Sequence, residues 1–464
     1  MCNKAAPKPT LWRRFLTLFG VAPPHPAPQY DPFYGYNTPS SDPSLQAAPG
    51  TILRSRKIEI VPFPGFDAKN LSAWQLAYVT RGAEGQGQVT IVTIIAPPGP
   101  GKRDRVVSYQ PKTDSAAPIC RTSYALRKGG TERYGALSEQ IFMETLLDRG
   151  WVIVCPDYES QNDAFGAGVQ SGQATLDALR AALQFKELAL EENARIVGWG
   201  YSGGAIATAW AAQLQSSYAP ELRNIVGWSF GGTAVDLEAA ARHCNNTVVA
   251  GIVVGVLQGL ANAYPKLNKW LLASINKVGE PHFLKARESC FYSVVASSLG
   301  KDVLGLVAAA DSKKSEGYFN VSDVLGAPEC RDVMKHNLLG AHPTQIPVAP
   351  LFIVQSLHDE IVPFAPVDDL VQRWGRAGAR IEYIRDEWSA HVILCFTGYP
   401  VTVKWMEERL ELKPNPVLPG KPYVRTVKTS LNDEPAKACL GCRQGQLQKQ
   451  MVNDYQKPNK TWWT

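Results

Sequence analysis

The sequence predicts an α/β fold with a mostly parallel central sheet flanked by helices. Two observations support this prediction. The strand-like runs "WVIVCPD" and "ARIVGWG" lie on either side of the helix-like segment "GQATLDALRAALQFKEL". The same alternation returns later in the chain, where "VAPLFIVQS" and "RIEYIRD" enclose another helical segment. Alternation of strands and helices of these lengths indicates consecutive βαβ units.

The chain begins with a segment rich in proline. Residues 1–50 are predicted to be an N-terminal arm. Its part from 23 to 50 is expected to run extended over the surface, because it is rich in Pro, Ser, Tyr and Ala, as in "PPHPAPQYDPFYGYNTPSSDPS". Within this arm, Arg13 and Arg14 precede an apolar run that ends at Ala22, so residues 1–22 resemble a targeting segment. This favours a secreted protein, with a cytoplasmic one as the alternative.

The remaining chain divides into four parts. Residues 51–234 are predicted as the first part of the core and 346–412 as the second. Between them, residues 235–345 interrupt the alternation with helical segments, one of which is "FLKARESCFYSVVASSLG". This helical insertion is either an ordinary extra domain or a cap with a lid over an active site. Residues 413–464 form a C-terminal extension.

Charge and hydropathy exclude several classes of protein. The net charge of +6 is the small difference between 48 basic and 42 acidic residues, and no long basic run is present. A nucleic-acid partner is therefore not expected. The longest apolar stretch outside the N-terminal region, Val248 to Leu260, is too short to span a bilayer as a helix.

Cysteines and sequons suit an extracellular protein. Nine cysteines leave at least one unpaired, and the Cys439-x-x-Cys442 motif has no second copy with which to form a zinc site. Neither a metal nor a cofactor is predicted. The tripeptide Asn-x-Ser/Thr occurs four times, which is consistent with a glycoprotein. The four sequons start at Asn70, Asn245, Asn320 and Asn459.

Two copies of the pattern G-x-S-x-G lie close together, "GYSGG" around Ser202 and "GWSFG" around Ser229. The pattern is typical of the nucleophile elbow of α/β-hydrolases, a tight turn that lifts a serine above the sheet. Around Ser202, a strand precedes the turn and the helical "GAIATAWAAQLQ" follows at once. After Ser229 the next helix starts too late, so Ser229 is interpreted as structural. The predicted elbow residues are Gly200, Tyr201 and Gly204.

A serine nucleophile needs a histidine base that is oriented by a carboxylate. In α/β-hydrolases the chain order is serine, acid, histidine. "LFIVQSLHDEIVPF" places Asp359 and Glu360 just after a strand, and "IEYIRDEWSAHVILC" places His391 after the next one. Asp359 is favoured over Glu360 because it comes first after the strand. The predicted triad is Ser202, Asp359 and His391.

Three other histidines in this part of the chain fail on order. His358 precedes the acid, and His336 and His342 precede the strand that carries the acid. His358 is interpreted as a loop residue, and none of the three is expected to be the catalytic base.

The residues around the triad resemble the fungal secretory lipases, the family of Candida antarctica lipase A. The resemblance rests on "GYSGGAIATAWAAQLQSSYAPEL", "NIVGWSFGGT", "HDEIVP", "SAH" and "YQPKTDS". It implies an α/β-hydrolase fold with a helical cap. It also implies that the second glycine-rich site, at Ser229, is not the nucleophile.

The resemblance further implies an oxyanion hole and one disulfide. Gly203 is expected to supply a backbone N–H, and Asp114 in "YQPKTDS" either its backbone N–H or a protonated side chain, because a carboxylate would repel the oxyanion. Cys120 is implied to pair with Cys290. A second family disulfide lacks its partner in "LVQRWGRAGA", which leaves the pairing of Cys395, Cys439 and Cys442 open.

These observations predict a carboxylic ester hydrolase of the triacylglycerol lipase type that works through an acyl-enzyme. Its substrate would be an ester or lipid, met at a lipid–water interface, and the protein would be a monomer. One alternative is a hydrolase or acyltransferase that acts on the ester of a secondary metabolite. A non-catalytic lipid-binding relative is the other.

Overall fold

The computed structural model describes residues 25–36, 38–63, 71–97, 103–130, 134–306 and 317–432. The targeting-like segment 1–22 and most of the predicted C-terminal extension lie outside these residues. The same holds for the sequons at Asn70 and Asn459 and for Cys439 and Cys442.

The described residues form a single sheet of ten strands. In chain order the strands are β1 (Ile52–Ile58), β2 (Ser72–Arg81), β3 (Gly87–Ala96), β4 (Arg105–Gln110), β5 (Val152–Pro156), β6 (Arg195–Tyr201), β7 (Ile225–Gly231), β8 (Leu351–Ser356), β9 (Ile381–Asp386) and β10 (Tyr423–Val427). Their order across the sheet is β1-β2-β3-β5-β4-β6-β7-β8-β9-β10. The pairs β1/β2, β2/β3 and β3/β5 are antiparallel, and all pairs from β5 to β10 are parallel. The predicted mostly parallel sheet is therefore confirmed.

Helices cover both faces of this sheet. The α-helices are α1 (Thr122–Ala125), α2 (Tyr134–Leu147), α3 (Gly168–Gln184), α4 (Gly203–Tyr218), α5 (Leu237–Cys244), α6 (Gly251–Ala263), α7 (Pro265–Ser274), α8 (Glu280–Glu288), α9 (Phe291–Ser297), α10 (Pro328–His336), α11 (Phe364–Arg376), α12 (His391–Thr397) and α13 (Tyr399–Leu410). Short 3₁₀ helices lie at Pro28–Tyr30, Pro32–Tyr34, Pro43–Gln46, Pro118–Cys120, Lys186–Leu188 and Ser430–Asn432. The helices α5 to α10 lie between β7 and β8, within the predicted insertion.

The core consists of two main apolar layers, one on each face of the sheet. Consecutive strand residues point to opposite faces, so Val106 belongs to one layer and Val107 to the other. The first layer includes residues of α3, α4 and the helical insertion, and the second includes residues of α2 and α13. Because both faces are covered, the central strands are buried along almost their whole length.

The N-terminal arm differs from its prediction. Its described part does not run extended over the surface but forms short 3₁₀ helices, two of them capped by aspartates. Asp31 accepts a hydrogen bond from the backbone N of Phe33, and Asp42 from that of Ser44. Proline directly follows each cap, where its fixed φ suits a helix start. Tyr34, in the second of these 3₁₀ helices, is completely buried. The hydroxyl of Tyr34 accepts a hydrogen bond of 3.1 Å from Ser123 Oγ.

The segment predicted as one helix, "FLKARESCFYSVVASSLG", contains parts of two. Helix α8 ends at Glu288 and α9 begins at Phe291, because Cys290 between them is extended (φ −86°, ψ 168°) and forms a disulfide with Cys120. This is the pairing that the family resemblance implied. Cys395, whose state the sequence left open, is a free buried thiol.

The disulfide is expected to contribute strongly to stability, because it closes a loop with a sequence separation of 170. For a loop of this length the chain-entropy relation gives an upper value of about 5 kcal/mol. The double variant Cys120→Ser, Cys290→Ser should therefore have a clearly lower free energy of unfolding in a denaturant titration. Cys330→Ser, which changes a buried free thiol without removing a cross-link, is the control and should lose less. An equal loss in both variants would contradict the cross-linking role.

Candidate active site

Three predicted site residues follow three strands at the same edge of the sheet. Ser202 directly follows β6, Asp359 lies in the loop after β8, and His391 lies after β9. Strands β6 to β9 are consecutive neighbours and all parallel, so their carboxyl ends lie at one edge. The topology alone thus places the three residues close together, as is common for sites in open α/β sheets.

The structure joins the three side chains in one hydrogen-bonded chain. Nε2 of His391 lies 2.9 Å from Oγ of Ser202. Nδ1 of the same ring lies 2.8 and 2.9 Å from the two carboxylate oxygens of Asp359. Both Asp359 and His391 are buried, with 5% and 2% of their surface exposed. The arrangement has the nucleophile–base–acid geometry of a serine hydrolase.

Glu360, the alternative acid, has a different contact. Its Oε2 accepts a hydrogen bond of 2.7 Å from the backbone N of His391, and it does not contact the imidazole nitrogens. Glu360 therefore holds the backbone of the histidine, whereas Asp359 holds its ring. The three histidines that failed on chain order, His336, His342 and His358, are all exposed.

The acid and the base have their pKa values shifted in opposite directions. Burial opposes ionisation of Asp359, but the His391 ring and the backbone N–H groups of Val362 and Ile361 outweigh it and lower the pKa. For His391, burial disfavours the charged form, yet the carboxyl groups of Asp359 and Glu360 raise the pKa above its ordinary value. The pair therefore favours transfer of a proton to the imidazole.

Ser202 adopts a strained backbone conformation at the start of helix α4. Its φ is 56° and its ψ is −124°, a region that non-glycine residues rarely occupy and that costs about 1–3 kcal/mol. The surrounding turn is closely packed: a Cβ added at Gly204 would lie 2.1 Å from the carbonyl oxygen of Gln110, and one at Gly200 would lie 2.4 Å from that of Gly204. Glycine is therefore required on both sides of the serine.

Ser229 lies in a different environment. It is a residue of β7, only 1% of its surface is exposed, and its Oγ has no hydrogen-bond partner among the described residues. The observed position agrees with the interpretation of Ser229 as a strand residue.

Asp114 lies in the loop after β4, directly against the start of helix α4. A Cβ added at Gly203 would lie only 1.7 Å from Oδ1 of Asp114, so the carboxyl group sits beside the residue that follows Ser202. Asp114 is buried and has a φ of 47°. Burial is the main reason why its pKa is raised to about 7, helped by Glu139 and opposed by Lys112 and His391. Near neutral pH a large fraction of this group is therefore uncharged.

Several contacts that support the site could not be read from the motifs. The hydroxyl of Tyr201, predicted only as an elbow residue, donates a 2.6 Å hydrogen bond to the backbone carbonyl of His391. From helix α5, His243 Nε2 lies 3.0 Å from the carbonyl oxygen of Asp359, and Cys244 Sγ lies 3.3 Å from that of Ile361. The histidine and acid loops are thus each braced by a residue distant in sequence.

An apolar cavity of about 50 Å³ lies beside Ser202. Helices α4, α5, α6 and α9 and the loops at Phe165 and Ile361 contribute to its walls. Asp114, Ser202 and Gly203 lie at one side, and the rest of the lining is almost entirely apolar. Such a lining suits a hydrocarbon chain attached to the group that Ser202 faces.

Two further searches cover only the part of the chain that the structure describes. Within it, no cluster of three or more His, Cys, Asp or Glu side chains is arranged to hold a metal ion. No helix in these same residues is long and apolar enough to cross a membrane.

Comparison with known proteins identifies the family. The family model described as secretory lipase matches residues 134–416. The chain belongs to the secretory lipase family. This confirms the predicted α/β-hydrolase fold and, at the level of the family, both the lipase-type ester hydrolase class and secretion.

Individual relatives are similar over most of their length. A secreted triacylglycerol lipase of Malassezia restricta is 32% identical over 88% of this chain and 83% of its own. The crystal structure of Candida antarctica lipase A covers 92% of this chain and 95% of its own, with a TM-score of 0.77 and 26% identity. A protein of Mycobacterium tuberculosis named "probable inactive lipase" is also 32% identical, over 83% of each chain. Because one relative at this identity is named as inactive, similarity alone does not establish catalysis, and the geometry at Ser202, Asp359 and His391 is the relevant observation.

Gly232 is predicted to be essential for the position of His391. It adopts a φ of +57°, and a Cβ added there would lie 2.7 Å from Cε1 of His391. Gly232→Ala should therefore displace the imidazole and lower kcat/KM for an ester by roughly 100-fold. Gly378→Ala is the matched control, since Gly378 has a φ of +103° with nothing within 4 Å of its added Cβ. Both variants should lose about 1 kcal/mol of stability through backbone strain. Full activity of Gly232→Ala would show that the clash does not reach the ring.

Proposed function

We propose that this secretory lipase hydrolyses carboxylic esters of lipids, triacylglycerols in particular, with Ser202, His391 and Asp359 as its catalytic triad. The observation that supports this most directly is the 2.9 Å contact between Nε2 of His391 and Oγ of Ser202. The strained backbone at Ser202 and the burial of His391 and Asp359 each cost stability. Their combination is therefore better explained by catalysis than by a role in folding.

The reaction begins when Oγ of Ser202 attacks the ester carbonyl carbon. His391 Nε2 takes the proton of Ser202, and Asp359 stabilises the imidazolium through Nδ1. The tetrahedral intermediate collapses, the alcohol leaves with the proton from His391, and the acyl group stays on Ser202. A water molecule, deprotonated by His391, then attacks the acyl carbon. The bond from that carbon to Oγ of Ser202 breaks, His391 returns the proton to Oγ, and the fatty acid is released. Acylation and deacylation of Ser202 thus replace the more difficult direct attack of water on the ester.

Negative charge on the carbonyl oxygen is stabilised by Gly203 and Asp114. Gly203 is the first residue of helix α4, so its backbone N–H lies at the helix N-terminus, where the helix dipole also favours an anion. Asp114 contributes its backbone N–H or the O–H of its neutral carboxyl group. One donor of this kind contributes about 3 kcal/mol to transition-state stabilisation. This role fits the position of an acid in a buried environment that raises its pKa to about 7 and so favours the neutral form more than water does.

The helical insertion serves as a cap over the serine. Residues of α5, α6 and α9 line the cavity beside Ser202, so they would contact the acyl chain. Several side chains of the insertion are apolar and exposed, among them Tyr292 in the first turn of α9 and Leu299 just after its end. Such a surface suits contact with lipid at a lipid–water interface. The monomeric state stays a prediction.

Two variants test which serine reacts. Ser202→Ala should lower turnover of p-nitrophenyl esters by about 10⁴-fold or more, as loss of a serine nucleophile does elsewhere. Ser229→Ala should keep wild-type turnover, because its buried hydroxyl has no partner to lose among the described residues. The reverse result would assign the nucleophile to Ser229.

The same assay with esters from acetate to palmitate tests the substrate class. Each methylene group that enters the apolar cavity is worth about 0.8 kcal/mol, so kcat/KM should rise roughly fourfold per carbon until the available space is filled. Activity confined to acetate would instead favour an esterase that acts on a small acetylated metabolite.

A pH profile tests the role of Asp114. If its neutral carboxyl supports the oxyanion, ionisation near pH 7 removes a donor and adds a repelling charge, so kcat should fall as pH rises above about 7. Asp114→Asn keeps an uncharged donor and should extend activity to higher pH. The acid limb of the pH profile should be the same in Asp114→Asn and wild type, because it reports protonation of His391, whose pKa is raised.

The neighbouring charges supply the control for this profile. Lys112, Glu139 and His391 act on Asp114, and Lys112 forms a 2.5 Å ion pair with Glu139. Glu139→Gln removes the carboxyl group that helps to raise the pKa of Asp114 and should move the alkaline limb to lower pH. An identical alkaline limb in wild type and Asp114→Asn would assign that limb to another group.

A further inference from the structure

Two of the Asn-x-Ser/Thr sequons lie in the part of the chain that the structure describes, and the two differ in environment. They are Asn245-Asn246-Thr247, after helix α5, and Asn320-Val321-Ser322, before helix α10. We propose that Asn320 carries an N-linked glycan and that Asn245 remains unmodified in the folded protein. The inference depends on secretion and not on the catalytic mechanism.

Asn245 uses its amide group inside the protein. Only 9% of its surface is exposed. Its Nδ2 donates a 2.7 Å hydrogen bond to Oδ1 of Asp302, and its Oδ1 accepts one of 3.1 Å from the backbone N of Leu304. These bonds tie the end of α5 to the chain that follows α9. A sugar on Nδ2 would replace the contact with Asp302 and would have to occupy filled space, so a chain modified there could not reach this fold.

Asn320 has the opposite environment. Asn320, Val321 and Ser322 are all exposed and lie in an irregular segment. The backbone is nevertheless fixed, since the N of Asn320 donates a 2.8 Å hydrogen bond to the carbonyl of Ser274 and the preceding Phe319 forms a β-bridge with Ile275. A sugar on this side chain would leave all of these contacts intact.

The transfer needs the sequon as acceptor, a lipid-linked oligosaccharide diphosphate as donor and a membrane-bound oligosaccharide transferase of the secretory route as catalyst. Nδ2 of Asn320 forms a bond to the anomeric carbon of the sugar and gives up one proton to a base of that enzyme. The bond from that carbon to the diphosphate oxygen breaks, and the lipid diphosphate leaves with the electron pair. The hydroxyl of Ser322 completes the acceptor sequence. A protein that follows the secretory route, as members of this family do, encounters this donor.

A glycan at Asn320 would cover exposed apolar side chains. Val321 is adjacent in the chain, Leu272 lies two residues before Ser274, and Val278 lies close after the bridge at Ile275. Their exposed fractions are 38%, 54% and 41%. None of these residues lines the cavity beside Ser202. The glycan would therefore shield an apolar surface from self-association without obstructing the active site.

Peptide mapping of the full chain, secreted from a eukaryotic host, tests the proposal. Treatment with peptide N-glycosidase in ¹⁸O-water converts each glycosylated asparagine into ¹⁸O-labelled aspartate. We expect the label at position 320 and unlabelled asparagine at position 245. An unlabelled Asn320 in the secreted protein, or a label at Asn245, would overturn the assignment.

Two matched variants separate modification from folding. Asn320→Gln should lose the mass of one glycan, keep its ester turnover and precipitate at a lower protein concentration than wild type. Asn245→Gln should keep the glycan but unfold at a lower temperature, because the longer side chain cannot make both hydrogen bonds. If Asn320→Gln kept its full glycan mass, position 320 would not be the site, whatever the enzyme's activity.

Discussion

The buried contact between Asp359 and His391 is the interaction on which the rest of the site depends. Both side chains are nearly excluded from water. An unpaired charge in such a buried position would be costly, so the ionised carboxylate and the protonated ring stabilise each other. The fold meets this demand from several directions. Glu360 and Tyr201 hold the backbone of His391, while two backbone N–H groups and Gln355 donate to the carboxylate of Asp359. With the ring held in this way, its other nitrogen, Nε2, faces Oγ of Ser202 at 2.9 Å.

Much of this arrangement could be predicted from the sequence, because it follows from short-range rules. A strand followed by Gly-x-Ser-x-Gly and an immediate helix determines the turn at Ser202. The chain order of α/β-hydrolases then points to Asp359 and His391, since parallel neighbouring strands bring their carboxyl ends to one edge. In the structure the ring of His391 contacts Asp359, the acid favoured by its position directly after the strand, whereas no sequence pattern indicated that Glu360 would bind the backbone of His391.

What could not be predicted depends on contacts between distant parts of the chain. The bracing of Asp359 by His243 joins residues 116 apart in sequence, and no local pattern marks such a pair. The prediction for the N-terminal arm was wrong for a related reason. Its composition indicated an extended surface segment, but the structure contains short helices capped by aspartates and a buried Tyr34. The break between α8 and α9 is fixed by a cross-link rather than by helix propensity.

The disulfide between Cys120 and Cys290 also connects two parts of the active site. Cys290 directly precedes Phe291, which lines the acyl cavity, and the backbone N of Phe291 donates to Oγ of Ser115, the neighbour of Asp114. The segment of the proposed oxyanion donor Asp114 and the wall of the cavity are thus covalently linked at one point. Formation of this link is an oxidation. A chain retained in a reducing compartment would carry Ser202, Asp359 and His391 but lack the bond that holds the cavity wall beside them.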